Sequence, residues 1–202
     1  MRLPPIFGPR RLMRDRRGMA AVEFALIAPT LIVLVMGVLE LSFRFRAKEE
    51  ATRYVHVVSD LLAREETLTT QNLKDIYTAA PCMMKPLDTA SRLDLDIASI
   101  TYASDVNHTP SVAWRRVAGT QVNLVPTDYN TMGGALETVI RVGVRYHYTS
   151  PISSLFGGPD LSLTGEAITR PRETRVITMD GLTSQAGITT FTANAGPAPC
   201  VT

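Results

Sequence analysis

The sequence predicts an α+β protein, in which a long N-terminal helix spans a membrane with its first half and packs its second half against a C-terminal antiparallel sheet. Three observations predict this class. Residues 19–41 form a run that is almost entirely apolar. Helical spacing of apolar residues continues over residues 42–66, so that one helix is expected from about Ala20 to Arg64. Beyond residue 67, short segments alternate apolar and polar residues with the period of strands.

Residues 1–18 form a basic leader. They contain six arginines and one aspartate, although the whole chain has a formal net charge of only +2. Basic residues beside a membrane span favour the cytoplasmic side. The leader is therefore predicted to be cytoplasmic and the C-terminal domain periplasmic, in a bacterial inner membrane. A net charge this small argues against a nucleic-acid partner.

The apolar run has the length of a transmembrane helix. From Ala20 to Leu41 the chain reads AAVEFALIAPTLIVLVMGVLEL, and about twenty apolar residues cross a bilayer core as a helix. Between Phe24 and Leu39 there is no charge. Pro29 is predicted to kink this helix without breaking it, because membrane helices tolerate proline. A cleaved secretory signal is disfavoured, because arginines follow where small residues would be needed.

A glycine and a glutamate frame the start of the apolar run. The chain reads RRGMAAVEFALIAP, with Gly18 ending the leader and Glu23 five residues later. This pattern resembles the cleavage signature of type IV prepilins and pseudopilins. The resemblance implies that a prepilin peptidase cuts between Gly18 and Met19, and that Glu23 pairs with the N-terminal ammonium of a neighbouring subunit. Such pairing would offset the cost of a carboxylate at the edge of an apolar helix.

More widely, the sequence resembles the TadE-like family, the pseudopilin-type proteins of tight-adherence (Flp/Tad) pilus systems. Near the N-terminus the resemblance rests on Val22–Leu26 (VEFAL), Pro29 and Glu40. Near the C-terminus it rests on the stretch VIRVGVRYHYTSPISSLFGGPDLSLTGEAITRPRE, whose marked positions are Tyr146, Tyr148, Arg172 and Glu173. The region from Thr67 to Gly134 carries no such resemblance.

The family resemblance implies a minor pseudopilin or structural assembly component of a Tad/Flp pilus, with a pilin-like lollipop shape. Its partners would be the pilin, a sister pseudopilin and the inner-membrane platform, and prepilin peptidase would act on it. Major pilins of these systems are shorter and usually carry tyrosine after the glutamate, where this chain has Phe24. This difference argues against the main fibre subunit. The chain after Asp180 also extends beyond the usual end of the family.

The periplasmic domain is predicted over residues 67–180. A short helix is expected from Thr70 to Ala80, capped by Thr69 or Thr70 and ended by Pro81. Alternation predicts strands around residues 93–97, 112–115, 140–148 and 161–167. Residues 181–202, rich in Thr, Ala, Gly and Pro, are predicted to form a flexible tail.

The chain contains two cysteines, Cys82 and Cys200, and neither belongs to a metal-binding motif. An oxidising periplasm favours a disulfide between them, and two unrelated thiols are the alternative.

The sequence shows no catalytic constellation. His56, His108 and His147 are isolated and are interpreted as surface or packing residues. Asp94 and Asp96 alternate with apolar residues and are interpreted as a solvated strand edge. We therefore expect no enzymatic activity, no cofactor and no metal. Two alternatives stay open: an unprocessed single-pass protein with a periplasmic binding or scaffold domain, and a membrane-anchored periplasmic enzyme.

Overall fold

A computed structural model describes residues 18–89, 91–125, 129–150, 152 and 160–194. The predicted leader up to residue 17 and the last eight residues of the predicted tail lie outside these ranges. The chain divides into two compact units, Met1–Ser42 and Phe43–Thr202.

In the first unit, the described chain is the beginning of helix α1, which runs from Met19 to Ala63. This confirms the long helix expected from the apolar run and its continuation. Pro29 lies inside α1, and the helix continues through it. The large apolar side chains of this unit face outward, and the exposed fraction reaches 75% at Leu26.

The second unit begins with the C-terminal part of α1, which has one buried face. Its buried side chains recur every three or four residues, the spacing of a single helix face, and include Ala47, Ala51, Tyr54, Val55, Val58 and Leu62. They belong to one core cluster with side chains from the sheet. At Gly165 the sheet approaches α1 closely, since an added Cβ would lie 3.3 Å from the Val55 side chain.

Two short helices follow a two-residue strand, β1 (Thr67–Leu68): α2 (Thr70–Thr78) and α3 (Ala80–Met83). The predicted cap is confirmed, because the Thr69 hydroxyl accepts from the Asn72 backbone N–H at 3.2 Å in a capping box. The predicted stop at Pro81 is wrong. Pro81 lies in the first turn of α3, where a helix needs no backbone N–H from that residue.

A five-stranded sheet forms the rest of the unit. Its strands are β2 (Leu93–Tyr102), β3 (Pro110–Ala118), β4 (Thr138–Tyr148), β5 (Leu161–Thr169) and β7 (Ile188–Thr190), in the order β5-β4-β2-β3-β7. The first four pair antiparallel as predicted, whereas β7 pairs parallel to β3, so the sheet is mixed at one edge. The short strand β6 (Thr178–Met179) pairs parallel to β1.

The prediction of a flexible tail is wrong for residues 181–194. This segment contains β7, and Phe191 directly after it is buried. The Phe191 backbone N–H donates to the Val117 carbonyl at 2.9 Å, and its ring meets Tyr77 edge-on, with centroids 6.0 Å apart. One aromatic side chain and a few backbone hydrogen bonds therefore order a stretch whose composition is typical of a linker.

Candidate functional site

The predicted processing point lies at the start of α1. Gly18 immediately precedes Met19, the first residue of the helix, and both residues are exposed. An added Cβ at Gly18 would meet no described atom within 4 Å. The peptide bond between them is therefore accessible at the start of α1.

Glu23 lies one helical turn after Met19. It is exposed and forms no ion pair or hydrogen bond with another residue of the described ranges. Residues four apart in a helix lie on the same face, so the backbone nitrogen of Met19 and the Glu23 carboxylate share one side of α1. Within the helix itself this carboxylate is left available for an external cation.

Between Phe24 and Leu39, α1 carries no charged side chain and most of its large apolar side chains are exposed. Within the described ranges, α1 is the one helix that is long and apolar enough to cross a membrane, and its most apolar stretch is not buried. An exposed apolar surface of this length in water would be strongly unfavourable. An apolar helix of this kind fits a membrane-anchored protein.

A family comparison covers this part of the chain. Residues 18–58 match the model of the family described as TadE-like protein. This segment is TadE-like. The match begins at Gly18 and includes Val22–Leu26, Pro29 and Glu40. No curated protein and no solved structure gives a significant match to the chain.

The C-terminal part of the resemblance lies outside the matched residues and stays a prediction. Tyr146 and Tyr148 are both buried in the core that α1 shares with the sheet. Arg172 contacts the end of α1, because its guanidinium lies 2.7 Å from the Asp60 carboxylate and its backbone N–H donates to the Ala63 carbonyl at 3.0 Å. These residues therefore connect the C-terminal half of the domain to the TadE-like helix.

Asp94 and Asp96 do not form a solvated edge, and this interpretation is wrong. The side chain of Asp96 is fully buried and that of Asp94 is nearly so. A loop after β3 covers them: the Thr120 and Val122 backbone N–H groups each donate to one of these carboxylates at 2.9 Å. The β2 alternation correctly predicted a polar face, but it could not show that a loop would cover that face.

Two arginines neutralise Asp96. The Arg115 guanidinium donates to the Asp96 oxygens at 2.9 and 2.5 Å, and Arg141 lies 3.7 Å away. The hydrogen bond and charge of Asp96 raise the pKa of Arg115. An added Cβ at Gly143 would lie 2.6 Å from the Arg141 guanidinium, so the bare glycine leaves room for that group.

Asp96, Arg115 and Arg141 form a charge network, and Arg141 extends it to the edge strand β5 and to the covering loop. It donates to Glu166 at 3.1 Å and to the Asn123 carbonyl at 2.8 Å. Tyr129 donates to the same Glu166 oxygen at 2.5 Å. Burial first, and then the hydrogen bond to Glu166, raise the pKa of Tyr129 to about 12. This phenol therefore stays protonated at neutral pH and acts as a donor.

The charge network holds the loop after β3 against the sheet. Each buried carboxylate is paired inside the protein, an arrangement typical of structural ion pairs. Across the described ranges, no group of three His, Cys, Asp or Glu side chains is placed to hold a metal ion. Sequence reasoning missed this network because Arg115, Arg141 and Glu166 belong to different strands. Opposite charges on the polar faces of four predicted strands were the available signal.

The histidines and cysteines occupy separate places. His147 is partly exposed, and its Nε2 lies 2.9 Å from the nearly buried Asp94 carboxylate. It therefore lies at the solvent-exposed edge of the charge network. Cys82 lies in α3, whereas Cys200 falls outside the described residues. The disulfide between them stays a prediction.

Proposed function

We propose that the chain is a minor pseudopilin or structural assembly component of a bacterial Tad/Flp pilus, acting through protein–protein contacts. One observation carries the proposal: the TadE-like match starts at Gly18, the residue directly before the exposed apolar helix. In this arrangement the leader is cytoplasmic and the second unit is a periplasmic domain. Basic residues before the span support that orientation.

In this proposal Gly18 and Met19 are the substrate of a prepilin peptidase. Cleavage between them would remove the basic leader and create a new ammonium at Met19. That ammonium would be the cation nearest to the apolar run in the processed chain. The exposure of both residues at the helix start supports access by such an enzyme.

Glu23 then has a defined role in assembly. Its carboxylate would pair with the Met19 ammonium of a neighbouring subunit, which removes two isolated charges from an apolar environment at once. The candidate neighbours are the pilin, a sister pseudopilin and the inner-membrane platform. The exposed apolar surface of α1 supplies the contact area on which the pair is formed.

We assign the second unit to recognition of other pilus proteins, with no reaction and no cofactor. Its buried charged side chains pair with one another inside the domain, where they hold a loop on the sheet. The C-terminal part of α1 is part of its core, so the domain and the TadE-like segment share one continuous helix. This continuity suits a subunit that presents a domain on an assembled helix.

The test compares Glu23→Gln with Glu49→Gln in the native host. Glu49 is exposed on the same helix but lies outside the apolar run, so its variant controls for loss of one carboxylate. We expect Glu23→Gln to abolish surface pili and co-purification with the pilus proteins, with membrane insertion and protein level unchanged. Normal piliation in the Glu23→Gln strain would contradict the assigned role and favour a scaffold protein unrelated to pili.

A further inference from the structure

A cleft of about 260 Å³ opens on the second unit, where α1 meets one end of the sheet. Phe43 and Arg46 of α1 form one side of it. The segment between α3 and β2 forms another side through Pro86, Leu87, Asp88 and Arg92, and the end of β4 closes it with Tyr146, Tyr148 and Thr149. The charge network on the other face of the sheet contributes no residue to this lining.

The cleft combines apolar walls with an excess of positive charge. Phe43, Leu87 and the two tyrosine rings supply the apolar surface. Of the three charged residues in the lining, two are arginines. Asp88 lies 3.9 Å from Arg92, a long and exposed ion pair that screens little of the charge. Arg46 is exposed and has no ion pair or hydrogen bond with any residue that the structure describes.

The position of the cleft in the chain points to a membrane surface. The apolar run ends at Leu41, and Phe43 and Arg46 follow two and five residues later in the same continuous helix. At about 1.5 Å per residue, this stretch of helix is shorter than the headgroup layer of a bilayer is deep. Tyrosine rings at this depth are typical of an interfacial region, and long arginine side chains can place their charge among the headgroups.

We propose that this cleft binds the headgroup of an anionic phospholipid in the periplasmic leaflet of the inner membrane. The guanidinium groups of Arg46 and Arg92 contact the phosphate, and the aromatic wall packs against the glycerol backbone and the first acyl carbons. Arginine suits this role because its planar fork donates two hydrogen bonds to phosphate oxygens. The inference rests on the membrane location of α1 in the proposed function, and it adds a ligand to that location.

A lipid fits these walls better than a soluble anion does. A soluble phosphate would use the arginines and leave Phe43 and Leu87 in contact with water, whereas a lipid covers both kinds of surface. A choline headgroup would bring its own cation towards the arginines, so a zwitterionic lipid is disfavoured. The cleft therefore discriminates by net charge and by the presence of acyl chains.

The test is native mass spectrometry of the full chain in neutral detergent. The protein is titrated with phosphatidylglycerol or with phosphatidylcholine of the same acyl chains. We expect the wild type to retain phosphatidylglycerol in preference, and Arg46→Gln to lower its occupancy about fivefold, the usual effect of one basic side chain on an anionic lipid. Arg53→Gln removes the same charge from an exposed site of α1 outside the cleft, and should leave occupancy unchanged.

Three results would overturn the lipid site. They are equal retention of the two lipids, an equal loss in Arg53→Gln, and equal competition by deacylated glycerophosphoglycerol, which would make the ligand a soluble phosphate. Carbonate extraction of membranes from the strain that produces the protein shows whether the chain is anchored in the membrane. It therefore distinguishes failure of the lipid site from failure of the proposed function. A chain that stays in the membrane but retains no lipid contradicts the lipid site alone, whereas an extracted chain contradicts the shared premise.

Discussion

Asp96 joins three parts of the domain through one carboxylate. It accepts from Arg115 on the neighbouring strand and from the Val122 backbone N–H in the covering loop, and it faces Arg141 on the strand at its other side. A buried charge is tolerated only when partners surround it. Removal of this one group therefore takes the carboxylate partner away from the largely buried Arg115 and leaves the buried Arg141 with Glu166 alone.

Asp96→Asn should destabilise the second unit by about 3 kcal/mol, because breaking a buried ion pair strands its partner. The single tryptophan, Trp114, is fully buried in that unit and reports its unfolding by fluorescence in urea. Glu65→Gln, at an exposed position, serves as the control and should change stability by less than about 0.5 kcal/mol. Equal midpoints for the two variants would show that the network carries little stability.

Asp180 links the start of α2 to β3. Its carboxylate accepts from the Thr70 backbone N–H at 2.8 Å and from the Thr70 hydroxyl at 2.7 Å, and it lies 3.2 Å from the Arg116 guanidinium. Burial acts to raise the pKa of Asp180, but the Thr70 hydrogen bonds and Arg116 outweigh it, so the pKa is lowered. A carboxyl group with a lowered pKa stabilises the fold above its unfolded pKa, and this contribution disappears as pH falls through the folded pKa.

Asp180→Asn should therefore be less stable than the wild type at about pH 7, and the difference should shrink at about pH 3. At the lower pH the carboxyl group of the unfolded wild type is becoming protonated, so the stability contributed by its ionised form in the folded state declines. Urea unfolding followed at Trp114 at both values measures the difference. A gap of the same size at both pH values would contradict a contribution from the ionised carboxylate.

Among the elements, the segment after Asp180 shows most clearly how the packing of one side chain, Phe191, orders a stretch of chain. Phe191→Ala should cost about 3 kcal/mol, because it removes a buried ring that contacts Tyr77. Ile188→Ala changes an exposed side chain of the adjoining strand and should cost less than about 1 kcal/mol. Limited proteolysis adds a local readout: cleavage after residue 181 should accelerate in Phe191→Ala and stay slow in Ile188→Ala.

Elements with strong local patterns could be predicted from the sequence. The apolar run and its helical continuation predicted α1, and strict alternation predicted β2 and β4 together with most of β5. β7 could not be predicted, because its pairing with β3 depends on residues about seventy positions away. The predicted helix end at Pro81 was wrong for a related reason. Proline ends one helix and begins another equally well, and only the chain beyond it decides between the two.

The candidate site divides in the same way. The positions Gly18, Met19 and Glu23 follow from their order in the sequence, and the TadE-like match begins at the first of them. The burial of Asp94 and Asp96 depends on a loop that folds back over β2, and no local pattern encodes that contact. Local sequence therefore predicted the apolar helix, but it could not predict the burial of these carboxylates inside the domain. The roles of Gly18, Met19 and Glu23 stay predictions.

For the whole molecule, the proposed function makes the chain a substrate that is cut once and then assembled through the new end of α1. In the processed protein, the exposed apolar surface, the Met19 ammonium and Glu23 would act together, because each gains its role from the others. The domain would be carried on the same helix that the cleavage releases from its leader.

The most direct test of this account is the mature N-terminus of the protein, determined by mass spectrometry from the native host with and without its prepilin peptidase. We expect a chain that starts at Met19 when the peptidase is present and retains residues 1–18 when it is absent. A chain with an intact leader in both strains would contradict the account, and would leave a membrane-anchored protein whose helix resembles that of a pseudopilin.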